Sequence, residues 1–80
     1  MKLRINGNEY STGISSLTDL LKELDIMPER VAVEVNLRII RRQDFAHYQL
    51  CDGDDIEIVY FVGGGDVIRR DNTKMRREDG

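Results

Sequence analysis

The chain has 80 residues, a formal net charge of −3 and a single cysteine. That is one small domain, too short to enclose a deep substrate pocket beside its core. Its acidic balance argues against the clustered cations of non-specific nucleic-acid binding, and one cysteine excludes an internal disulfide.

Along the chain, Leu3 and Ile5 alternate with Lys2 and Arg4, the period of a half-buried strand. Asn6-Gly7 suits a type I′ hairpin turn, with Glu9 to Thr12 as the return strand. Ser16 with Asp19 three residues on reads as a helix N-cap, and Leu17, Leu20, Leu21 and Leu24 make one apolar stripe, predicting a helix over about residues 17–25 limited by Pro28. Val31, Val33 and Val35 predict a strand, and Ile39-Ile40 a short one. Gln43 to Tyr48 reads as a turn or a single helical turn that brings Phe45 to the core. Asp52-Gly53-Asp54 marks a turn. Asp55 to Val62 is the longest strand, with Ile56, Ile58 and Tyr60 on one face and Glu57, Val59 and Phe61 on the other.

This order predicts an α+β fold: a mixed sheet of four or five strands with one main helix on one face, leaving the other face uncovered. Val59 and Phe61 then either form a docking patch on that face or, if a bulge shifts the parity, belong to the core. Residues 1–65 hold seven Lys/Arg and eleven Asp/Glu, an acidic domain suited to steering toward a basic partner surface or simply to solubility. Residues 66–80 hold nine charged side chains among fifteen and no aromatic, so the expectation there is a charged, disordered extension.

Other residue types offer little chemistry. Cys51 has no neighbouring activator and reads as a small buried hydrophobe. His47 alone makes neither a zinc site nor a catalytic triad. Asp52, Asp54 and Asp55 lack the ligand count of a calcium loop. Arg41-Arg42 and Arg69-Arg70 are too short for a nucleic-acid surface. The expectation is no catalytic residue, no metal and no bound cofactor. Met1 to Gly7 lacks the apolar stretch of a signal peptide, and nothing approaches the roughly 18 apolar residues of a membrane span, so the expected location is cytoplasmic, away from membranes.

Gly63-Gly64-Gly65 follows the last strand directly. As a terminal tail, Val62 to Gly65 would project about 10–14 Å, and side-chain-free residues can thread a narrow channel. Together with Asn6-Gly7, the leucine helix, Val31 to Asn36, Ile39-Ile40 with Arg41-Arg42, and above all the block Leu50 to Gly65, this pattern resembles the ThiS family of sulfur carriers in thiamine biosynthesis. That family is related to the molybdopterin carrier and ubiquitin, and the likeness covers residues 1–65.

The resemblance implies a ubiquitin-like β-grasp fold and a carrier that is not itself an enzyme. Gly65 would hold sulfur as a thiocarboxylate, Gly63, Gly64 and Gly65 would thread into partners, and Val59, Phe61 and Val62 would form the docking patch. The implied partners are an E1-like adenylating enzyme that uses ATP, thiazole synthase, and a sulfur donor such as a cysteine desulfurase. In the family the second glycine is the C-terminus, whereas here Asp66 follows Gly65. A processing protease would remove residues 66–80, or the extension belongs to a carrier of altered role, or it is an appended artificial sequence. Two other readings are a non-enzymatic β-grasp interaction module and a carrier for molybdopterin or another sulfur-transfer pathway.

Overall fold

The structure, a computed structural model, describes residues 1–62 and 66–69. Lys2–Ile5 (β1) and Asn8–Ser11 (β2) form an antiparallel hairpin in which Leu3 faces Tyr10. Asn6 and Gly7 both take positive φ, 49° and 86°, as a type I′ turn requires. The side chain of Ser16 then accepts the Asp19 N–H at 3.1 Å, and helix α1 runs over Leu17–Glu23.

The helix ends two residues before the expected position, and Pro28 is not what stops it. Asp25 takes a left-handed φ of 61°, its N–H donates to the Lys22 carbonyl, and the Ile26 N–H donates to the Leu21 carbonyl. This is the Schellman arrangement, completed by burial of Ile26 beside the helix. Pro28–Arg30 form a 3-10 turn that leads into Val31–Val35 (β3), whose three valines are buried.

A two-residue turn at Asn36-Leu37, again with both φ positive, returns the chain as Arg38–Ile40 (β4). A 3-10 segment, Arg42–His47, delivers Phe45 to the core as expected. The longest strand is Asp55–Val62 (β5). Within the path β2-β1-β5-β3-β4, β5 lies between β1, which it meets in parallel, and antiparallel β3. The sheet is therefore mixed. α1 covers one face, and Leu17, Leu20 and Leu21 meet Leu3, the β3 valines, Ile56, Ile58, Phe45 and Leu50 in one core.

One part of the extension differs from expectation. Asp66–Arg69 (β6) is a strand paired antiparallel to β5, with Val62 opposite Asp66 and Tyr60 opposite Ile68. Charge content hides this strand in the sequence; the signal present was the β-branched pair Val67-Ile68 just after three glycines. Residues 70–80, and the expected domain boundary at Gly65, lie outside the described residues.

The end of α1 is clamped to the hairpin. The Glu23 carboxylate accepts from Thr12 Oγ1 at 2.7 Å and from the Tyr10 hydroxyl at 2.8 Å. The Thr12 hydroxyl, followed by the Tyr10 hydroxyl, holds the Glu23 pKa below its usual value. That same bond to Glu23 raises the Tyr10 pKa. A carboxyl depressed in the folded state stabilises fully above its unfolded pKa, about 4.3, and loses that contribution as pH falls through the lower folded value. Urea melts of Glu23→Gln across a pH series should therefore fall below the parent at neutral pH and converge with it in acid.

Candidate functional site: the end of β5 and the uncovered sheet face

β5 is pinned before it can present anything. Ile56 and Ile58 have no exposed surface, β3 pairs with it from Ile56 to Tyr60, and on its other edge Ile5 stands opposite Ile56. Beyond Ile56 that edge is taken over by a side chain. Asn6, buried at 3% exposure, accepts the Ile58 N–H at 2.8 Å and donates its Nδ2 to the Ile58 carbonyl at 3.2 Å. An amide side chain thus imitates one more residue of β1. Sequence reading assigned Asn6 to its turn alone; its left-handed φ of 49° is what aims the amide at β5.

The parity of β5 is regular, so the bulge alternative for Val59 and Phe61 falls. Val59 is half-buried on the uncovered face opposite Ala32, and Phe61 is 58% exposed. On the same face Glu57 stands opposite Glu34, and Glu34 stands opposite Ile39, itself 72% exposed. The face thus carries an apolar end at Val59 and Phe61 beside a paired acidic row. Val62 is described by its backbone pairing alone, and Gly63, Gly64 and Gly65 lie outside the described residues.

Cys51 corrects an expectation. Its side chain is exposed, because Leu50 beside it takes the inward position. His47 is exposed as well. The aspartates of the preceding loop hold backbone in place: Asp54 accepts the Cys51 N–H at 2.8 Å and the Asn36 side-chain amide at 3.0 Å, and Asp52 accepts the Lys2 N–H. Those bonds bind the loop to β1 and the β3–β4 turn. Among the described residues no group of three His, Cys, Asp or Glu could hold a metal ion. No helix of the described residues is long and apolar enough to cross a membrane.

Comparison with known proteins gives a consistent picture. The ThiS family model matches residues 3–65. Among curated relatives, a thiazole synthase from Paramagnetospirillum magneticum is 46% identical over 66 residues; the match takes in 81% of this chain and 20% of that protein, so the chain spans a fifth of that relative's length. The sulfur carrier protein ThiS of Bacillus subtilis is 38% identical over 65 residues, covering 79% of this chain and 98% of that one. The crystal structure of the thiamine biosynthesis protein ThiS from Geobacter metallireducens superposes with a TM-score of 0.72 at 36% identity, covering 81% of this chain and all of that one.

Proposed function

Since the chain belongs to the ThiS family of sulfur carriers in thiamine biosynthesis, we propose that it carries sulfur as a thiocarboxylate on Gly65 once the bond to Asp66 is cut. A carboxylate is a poor acyl donor, because its leaving group would be oxide. An E1-like partner would use ATP to convert the Gly65 carboxylate to an acyl adenylate, with loss of pyrophosphate. The terminal sulfur of a persulfide on a donor such as a cysteine desulfurase would then displace AMP to give an acyl disulfide. A thiol would reduce that disulfide, leaving the thiocarboxylate on Gly65 and a disulfide on the thiol side. The thiocarboxylate would pass its sulfur to a thiazole synthase, a partner supported by this domain's likeness to part of a thiazole synthase chain.

One observation carries the reading: the central, doubly pinned strand of the sheet ends at Val62, the residue before the three glycines in sequence, with Val59 and Phe61 on its uncovered face. The rigid part sets where the tail starts, and three residues without Cβ atoms suit a narrow channel. The patch would dock on the adenylating partner, and the acidic row formed by Glu34 and Glu57 favours a basic surface beside it.

The reading is tested on the chain ending at Gly65. Among the described residues every buried core side chain lies between Leu3 and Ile58, and the Bacillus relative is matched along 98% of its own length, so this shorter chain contains the folding unit. Incubated with a competent adenylating partner, ATP, a sulfur donor and a thiol reductant, it should gain the mass difference of sulfur for oxygen. The 80-residue chain, with no carboxylate at Gly65, should not change there. An unmodified shorter chain under those conditions removes the proposal.

A further inference from the structure

The edge of β5 that faces β1 is occupied in three successive ways. The β1 backbone reaches Ile56, where the Asn6 N–H donates to the Ile56 carbonyl at 2.8 Å. The Asn6 side chain serves Ile58. β6 then pairs with Val59 to Val62. Because strand backbone groups alternate between edges, and those of Ile58 face Asn6, the N–H and C=O of Tyr60 and Val62 face the same side. Their register partners there are Ile68 and Asp66. Those of Glu57 and Val59 face β3, where Glu34 and Ala32 stand opposite.

This register has a geometric consequence. A chain extended from Val62 would carry Asp66 about 13 Å onward, whereas paired strands lie about 5 Å apart. With Asp66 held opposite Val62, the chain re-enters the sheet beside β5 instead of continuing outward from its end. The same register puts Val67 opposite Phe61 and Arg69 opposite Val59, so β6 borders the patch proposed for docking.

We propose that Asp66–Arg69 is a self-masking strand: it closes the β5 edge left free beyond Asn6 and borders the docking patch until it is cut away. Hydrolysis of the Gly65–Asp66 amide adds one water, giving a Gly65 carboxylate and an Asp66 amine. That single step frees the reacting group and severs the strand that closes the β5 edge from the carrier. The functional sense of the mask rests on the carrier reading. The strand pairing stands apart from it.

Amide hydrogen exchange by NMR tests the mask on the 80-residue chain, its Ile68→Pro variant and the chain ending at Gly65. Proline at 68 removes the N–H that faces Tyr60 and has no place inside a ladder. In the 80-residue chain the Tyr60 and Val62 amides should be protected. In both altered chains Tyr60 should exchange at least about tenfold faster, and Val62 likewise in the shorter one, while Glu57 and Val59 hold their rates. Equal exchange of Tyr60 and Val62 in the 80-residue and shortened chains overturns the proposal, as does a protected Tyr60 in Ile68→Pro. If sulfuration fails but this exchange pattern holds, the carrier reading falls and the mask stands; sulfuration with unchanged exchange removes the mask alone.

Discussion

Replacing Asn6 by Ala should destabilise the domain by about 2–6 kcal/mol, since each buried polar group left without a partner costs about 1–3 kcal/mol. Two groups lose their partner together, the Ile58 N–H and the Ile58 carbonyl, 52 residues away in sequence. They sit on the strand that carries the core side chains Ile56 and Ile58. Alanine is also disfavoured at the φ of 49° that Asn6 adopts. Against a total stability of about 5–15 kcal/mol for a domain, this is a large fraction.

Asn6→Gly separates the two causes, because glycine accepts the left-handed backbone without steric strain but makes neither bond. The two substitutions should fall close together in urea denaturation, since the strain that glycine relieves is offset in part by its larger loss of backbone entropy on folding. Loss of less than about 0.5 kcal/mol in both would mean that water replaces the amide at Ile58, and the bridging role assigned to Asn6 would be wrong.

How much of this was readable in the sequence follows from which interactions are local. The Asn6-Gly7 turn, the Ser16 cap, the leucine stripe and the alternation of β5 are patterns within a few residues, and each stands in the structure where its period places it. Helix termination by Asp25 was missed because a left-handed residue other than glycine carries no strong signal, and Pro28 offered a more obvious stop. The turn from Asn36 to Arg38 is legible from the sequence, whereas the left-handed φ of 71° at Leu37, 89% exposed, is not. There the neighbouring Asn36 is bonded to Asp54 and Asp55, tying the turn to the loop before β5. Cys51 was misplaced because residue type outweighed position: one step after buried Leu50, it points outward. The parallel meeting of β1 and β5 and the return of β6 are contacts that no periodicity announces. For the site, sequence reading named the glycines and the patch, whereas Asn6 and β6, which set how β5 is held and masked, became visible only in the fold.

The uncovered face gives the second large effect. Phe61 is 58% exposed and takes no part in the buried core, so Phe61→Asp should leave the urea midpoint nearly unchanged. If Phe61 is an anchor for the adenylating partner, the loss should match that of a buried aromatic hot spot, at least about 2 kcal/mol or some thirtyfold in Kd. The new charge extends the acidic row of Glu34 and Glu57, so attraction to the basic partner surface should offset part of the loss at low salt, and the loss should grow as salt is added. Val59 is a poorer probe, because its half-buried side chain would mix folding with docking. Ile39→Asp serves as the comparison: it is equally apolar and 72% exposed, but lies across Glu34 from β5 on an edge strand. A partner that grips the end of β5 to seat the tail should feel Phe61 far more than Ile39. Equal affinity of Phe61→Asp and the parent, measured by titration calorimetry on the chain ending at Gly65, would move the docking surface away from this face. Equal losses at both positions would instead spread it across the whole face, and the end of β5 would lose its special part in placing the tail.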